Sequence, residues 1–133
     1  MHDNTNNGIW VGSATTTVSL VIDNVRSVNN TNSGLAVNAG GVVQAKNSVF
    51  SNNGAFGMIA DSSTLDAQTV TASNNGTGVH AQNSGTIRMS EVSVVSNGTG
   101  ISTASGGVIN SFGDNLIAGN GTGNGGVTPI SKQ

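Results

Sequence analysis

A short phrase, glycine followed by alternating apolar residues, recurs along this chain and constrains its fold more than any other feature. It reads Gly8-Ile9-Trp10-Val11, Gly34-Leu35-Ala36-Val37, Gly57-Met58-Ile59-Ala60, Gly78-Val79-His80-Ala81 and Gly100-Ile101-Ser102-Thr103. The leading glycines are 26, 23, 21 and 22 residues apart. A second phrase keeps the same register and ends in asparagine each time: Ile22 to Asn30, Ala45 to Asn53, Ala67 to Asn75, Met89 to Asn97 and Ser111 to Asn120. The last three are followed by the same Gly-Thr-Gly. A fixed period of this length marks a solenoid, in which each unit buries its inner face only by stacking on its neighbours.

Within each period the apolar residues alternate, which argues strands rather than helices. The first segment supplies Ile9/Val11, Leu35/Val37, Met58/Ala60, Val79/Ala81 and Ile101/Thr103. The second supplies Leu20/Ile22, Val43/Ala45, Leu65/Ala67, Ile87/Met89 and Ile109/Ser111. A third follows at Val25/Ser27, Ser48/Phe50, Val70/Ala72 and Val92/Val94. Three short strands per repeat of about 22 residues, with no helical stretch between them, describe one coil of an all-β solenoid. About five coils at the inter-strand spacing of ~4.8 Å make a body roughly 24 Å long. The expected organisation is one domain, 1–133, with an N-terminal lead (1–7), coils (8–120) and a C-terminal tail or cap (121–133).

Composition agrees. Aromatic residues are 3% of the 133 and charged residues 8%, against roughly 25% charged in an ordinary soluble domain. So few rings argue against a compact helical or α/β core. Gly, Asn, Ser and Thr fill about half of the chain, a turn-rich mixture. A net charge of −2 provides no basic footprint for nucleic acid. No apolar run approaches the ~18 residues of a membrane helix. There is no cysteine, so no disulfide marks the redox compartment.

Stacking places residues one period apart above one another. Asp66 and Arg88 then share an outward column, as do Asp23 and Lys46. With only six acids and four bases in the chain, two opposite-charge pairs in register support the alignment. The paired asparagines (Asn29, Asn52 and Asn74, with Asn30, Asn53, Asn75 and Asn97) suit a turn. Asparagine tolerates the left-handed conformation, and its amide can bond to that of the next coil. Phe50, Leu35, Leu65, Ile87 and Ile109 are expected to point inward.

The Asn-Gly-Thr-Gly-apolar periodicity with three strands per coil resembles the right-handed parallel β-helix proteins of the pectate-lyase-like superfamily. The likeness runs over about residues 8 to 130. It is greatest to the C-terminal part of secreted bacterial members, whose final coil is similar to Gly106-Gly107-Val108-Ile109-Asn110-Ser111-Phe112-Gly113-Asp114-Asn115 and the Thr128-Pro129-Ile130 tail. The resemblance implies a secreted or cell-surface protein associated with carbohydrate. This chain carries neither a signal peptide nor the family's N-terminal cap, so a fragment of a larger protein is expected.

Candidate sites are few. His80 falls on the outward parity of its strand, in a column with Trp10, Ala36, Ile59 and Ser102. Asp61 and Gln82 lie two positions further on. A histidine near a carboxylate on a sheet face can act as a general base, although an isolated surface histidine is the commoner occurrence. Asp61 and Asp66, five residues apart across a turn, could face one sugar as glycoside hydrolysis requires. A solvated turn acid and a salt-bridge partner of Arg88 are, however, the commoner use of such surface acids. The candidate catalytic residues are therefore His80, Asp61 and Asp66, and the candidate binding residues Trp10, Ile59, His80 and Ser102. The clustered acids of polygalacturonases and calcium-dependent pectate lyases are missing, and no group of oxygen ligands gathers for a hard cation. No metal or cofactor is expected. The Gly121-Thr122-Gly123-Asn124-Gly125-Gly126 run matches a phosphate-loop pattern but has no following helix. The sequons at Asn29, Asn75, Asn97 and Asn120 recur because the turn recurs. Thr15-Thr16-Thr17 is a local run and not a threonine column.

These features give three expectations for function. The first is a non-catalytic structural or carbohydrate-binding surface module. The second is a weak hydrolase or polysaccharide lyase using His80 and Asp61 on the outer face of the first sheet. The third is a self-assembling scaffold. Glycans are the expected ligands, with no nucleic-acid or membrane partner. Because the seven residues before Gly8 look too short to cover a coil, Ile9, Val11, Val18 and Leu20 are expected to be exposed and to form a homodimer through the N-terminal coils.

Overall fold

The computed structural model describes residues 1–132; Gln133, the last residue of the expected tail, lies outside them. The first coil holds β1 (Ile9–Val11), β2 (Val18–Asp23) and β3 (Arg26–Val28), and the second β4 (Leu35–Val37), β5 (Gly41–Lys46) and β6 (Val49–Ser51). The third holds β7 (Phe56–Asp61), β8 (Thr64–Gln68) and β9 (Thr71–Ser73), and the fourth β10 (Thr77–Gln82), β11 (Thr86–Ser90) and β12 (Ser93–Val95). The fifth holds β13 (Thr99–Thr103), β14 (Val108–Ser111) and β15 (Leu116–Ala118), and β16 (Thr128–Pro129) follows. All pairings between these strands are parallel. The first sheet runs β1-β4-β7-β10-β13, the second β2-β5-β8-β11-β14-β16 and the third β3-β6-β9-β12-β15. The molecule is a parallel β-helix.

The register is the one the repeat implies. Ile9, Leu35, Met58, Val79 and Ile101 stack in the first sheet. Leu20, Val43, Leu65, Ile87 and Ile109 stack in the second. Phe50, Leu35, Leu65, Ile87 and Ile109 are all buried in one continuous core. Five coils become about six turns, because Thr128 and Pro129 of the tail pair with Asn110 and Ser111. Pro129 suits a last rung, since it has no N–H to extend the ladder.

The corners explain the two repeated phrases. Asn29, Asn52, Asn74 and Ser96 hold φ between 55° and 58°, with Gly119 at 66° in the same place. The residue after each turns its side chain inward. Asn30, Asn53, Asn75, Asn97 and Asn120 are all buried and form a ladder along the axis. Each Nδ2 donates to the next Oδ1 at 2.8, 2.9, 3.0 and 3.0 Å. Asn4 joins at one end (2.7 Å) and Asn124 at the other (2.8 Å). Each Oδ1 also accepts from the backbone N–H of the preceding ladder residue, as Asn75 does from Asn53 at 2.9 Å. The second Nδ2 proton goes to a backbone carbonyl, that of Phe50 for Asn75 (3.0 Å), except in Asn30, where it goes to Ser27 Oγ (3.1 Å). No buried side-chain polar atom among the described residues lacks a partner, the condition for a polar column inside a core.

The leading glycines are required by this ladder. A Cβ on Gly8, Gly34, Gly57, Gly78 or Gly100 would stand 2.6–2.8 Å from the Nδ2 of Asn30, Asn53, Asn75, Asn97 or Asn120 respectively. The need is for space rather than for an unusual φ. The two phrases recur together because each glycine makes room for the asparagine that closes its own coil's stack.

The N-terminal end differs from expectation. Residues 1–7 form a rung of their own: His2 pairs with Val28, and the carbonyls of Met1, Asn4 and Asn6 accept from the N–H groups of Val28, Thr31 and Asn32. Val11 is buried and Ile9 half-buried. The rung does not reach β2, where Val18, Leu20 and Val21 stay exposed.

Candidate functional site

Two outer faces gather polar side chains. On the first sheet, the outward column is Trp10, Ala36, Ile59, His80 and Ser102, as the periodicity implies. Its members are not equally available. Trp10 is 58% exposed, but Ile59 and His80 are each only 8% exposed. Ile59 therefore offers little surface to a ligand, and His80 is no isolated surface histidine. Phe56, at the start of β7, stacks on the imidazole with ring centroids 4.9 Å apart and planes 20° from parallel.

His80 sits in a chain of hydrogen bonds whose direction is fixed from one end. Asp61 Oδ2 accepts from Gln82 Nε2 at 2.7 Å. Its carboxyl pKa is lowered, chiefly by the Asn83 amide and then by that of Gln82, so it is an acceptor at neutral pH. Gln82 must then donate with its amide and present Oε1 to His80 Nε2, at 3.1 Å. Nε2 therefore carries the proton in the neutral ring. Nδ1 is left as a lone pair that accepts from the Ser102 hydroxyl at 2.5 Å. Asp61 thus reaches His80 through Gln82 and not directly. Neither the stacking of Phe56 nor this polarity is legible from spacing, because both depend on side-chain direction at the strand ends.

Asp66 does not join this group. It lies on β8, in the second sheet, and accepts from Arg88 Nη1 at 2.7 Å across one rung. The proposed carboxylate pair, Asp61 and Asp66, is split between two sheets. Both partners of the Asp66–Arg88 pair are more than two-fifths exposed. A double-mutant cycle with Asp66→Asn and Arg88→Gln, read by denaturant unfolding, is expected to give a coupling of ~0.2–1 kcal/mol that shrinks with added salt. Asp23 and Lys46 are adjacent as expected, but the Asp23 carboxylate takes the Asn47 amide instead (2.9 Å).

The outer face of the second sheet carries an open groove of about 630 Å³. Its polar lining comes from three successive rungs: Gln44 and Lys46, then Asp66 and Gln68, then Arg88, Ser90 and Glu91. Phe112 and Lys132 also line it. Lys132 is held by Asp114 at 2.6 Å, which lowers the Asp114 carboxyl to about 2. Periodicity gives the three rungs. It does not give Phe112 and Lys132, which the last coil and the tail bring over the face. Among the described residues no three His, Asp or Glu side chains gather to hold a metal ion.

No protein-family model matches the chain, and neither does any curated protein or any solved structure.

Proposed function

We propose that this chain is a carbohydrate-binding β-helix module of the extracellular or cell-surface kind, and that it binds a glycan along the groove of the second sheet without cleaving it. The observation that carries this reading is the lining of that groove. Amide, cationic, anionic and hydroxyl groups repeat over three consecutive rungs beside an aromatic ring. Sugar hydroxyls need donors and acceptors interspersed, together with an apolar face for the ring carbons. The rung spacing of ~4.8 Å is close to the rise per residue of an extended polysaccharide. A chain lying along the solenoid axis would meet one set of side chains per sugar. The likeness of the repeat to pectate-lyase-like proteins supports the same ligand class.

Affinity electrophoresis through neutral and acidic polysaccharides tests the proposal. At least one polysaccharide is expected to retard the protein without being shortened. Arg88→Ala and Gln68→Ala are each expected to weaken retention about tenfold, which corresponds to ~1.4 kcal/mol. Both are outward residues, so the circular dichroism spectrum should not change. Unretarded migration through every matrix, or equal retention of the variants, would overturn the assignment. Assembly belongs to the same proposal: Val18, Leu20 and Val21 leave the β2 side of the N-terminal coil apolar, and a second copy is the proposed cover. Sedimentation showing only monomer at micromolar concentration removes that part.

A further inference from the structure

We propose that Ser102 is an activated hydroxyl, a second site on the first sheet that takes the acyl group of small carboxylic esters. Three independent features of the structure meet there. The hydroxyl is hydrogen-bonded to an imidazole nitrogen at 2.5 Å. That nitrogen is the unprotonated one, because the Asp61–Gln82 chain places the ring proton on Nε2. The ring cannot swing away, since it is buried and stacked on Phe56. Ser102 itself is only half-buried on the outward side of β13, the last strand of its sheet. Thr122 and Gly123 cover that strand's edge from Thr99 to Ile101, so an ester approaches Ser102 from the outer face. A nucleophile, a base held within hydrogen-bond reach, and a third group orienting the base are the parts that nucleophilic catalysis requires.

The step balances without any other reactant. Ser102 Oγ attacks the ester carbonyl carbon and its proton passes to His80 Nδ1. The bond from that carbon to the leaving oxygen then breaks. The Nδ1 proton goes to the departing alkoxide or phenolate, leaving acyl-Ser102 and the free alcohol or phenol. Ser102 and His80 are the catalytic residues; Gln82 and Asp61 are positioning residues that act through the imidazole.

Incubation of the whole protein with 4-nitrophenyl acetate tests the site. The expected result is a burst of about one phenolate per chain, one added acetyl group by intact mass, and that group on the peptide containing Ser102. Ser102→Ala is expected to abolish the burst and the added acetyl group, because the nucleophile is gone, and His80→Ala to slow acylation about 100-fold, the lower end of what a positioned base contributes. A second measurement needs no reaction. Long-range proton–nitrogen NMR spectra of the His80 ring should show Nε2 protonated and Nδ1 bare. In Gln82→Met that preference should be lost while the dispersion of the backbone spectrum is retained. Acetyl groups found only on lysines, no acetylation of the native protein, an undiminished Ser102→Ala rate, or a ring protonated at Nδ1 would each overturn the proposal. Glycan retention by the second sheet is a separate readout, so failure of either assignment leaves the other measurable.

Discussion

Leu65→Asp leaves no cooperatively folded protein. Leu65 is fully buried, and its partners above and below are Ile87 and Val43, buried as well. A carboxylate there meets no cation and no donor, because the whole column is hydrocarbon. Burying such a charge costs several kcal/mol even after relaxation, against a total stability of about 5–15 kcal/mol for a domain. Leu65 is also in the middle coil, so its loss separates the stack into two short halves, neither of which can bury its own inner face. Circular dichroism and thermal melting of the purified variant are the measurements. Soluble, sharply melting Leu65→Asp protein would show that the inward assignment of the second sheet is wrong.

Asn75→Ala is expected to cost about 3–5 kcal/mol, more than truncating any outward residue. The cost lies in the buried groups that lose a partner. Asn75 accepts from the N–H and the Nδ2 of Asn53 and donates to Asn97 Oδ1 and the Phe50 carbonyl. Its removal leaves the Asn53 N–H and an Asn53 Nδ2 proton without this acceptor and the Phe50 carbonyl without this donor, while Asn97 Oδ1 keeps the Asn75 backbone N–H. Each orphaned group costs about 1–3 kcal/mol when unrelieved, with relaxation and water entry recovering part. Asn32 provides the contrast. Its amide donates to Asn6 in an exposed pair at 3.3 Å, and Asn32→Ala should change stability by less than ~0.5 kcal/mol. Urea unfolding of the two variants tests the difference. Equal values for Asn75→Ala and Asn32→Ala would mean that the ladder contributes no more than a surface turn.

The same ladder links stability to the glycine phrase. Gly57→Ala places a methyl group 2.7 Å from Asn75 Nδ2 and 2.6 Å from the Gly78 carbonyl oxygen. The second contact is with backbone, which has little freedom to retreat inside a stacked coil. Gly57 and Asn75 are therefore coupled residues, although the repeat shows them only as two motifs 18 positions apart.

What the sequence by itself determined is everything that follows from translation by one coil. Stacked neighbours are separated by a nearly constant number of residues, so linear spacing reports spatial adjacency directly. That is why the pairing of Asp66 with Arg88, the column from Trp10 to Ser102 and the inward set from Leu35 to Ile109 are all readable without coordinates. Tertiary structure decided what depends on corners, rotamers and non-repeating segments. It selected which asparagine of each pair turns inward, gave the Asp23 carboxylate to Asn47 rather than Lys46, and separated Asp61 from Asp66 across a corner. It also laid residues 1–7 and the Thr128–Pro129 strand against the terminal coils. Finally, it enclosed His80 between Phe56, Gln82 and Ser102. These contacts arise where the chain bends, and there the backbone angles of single residues, not the period, set the direction in which a side chain points.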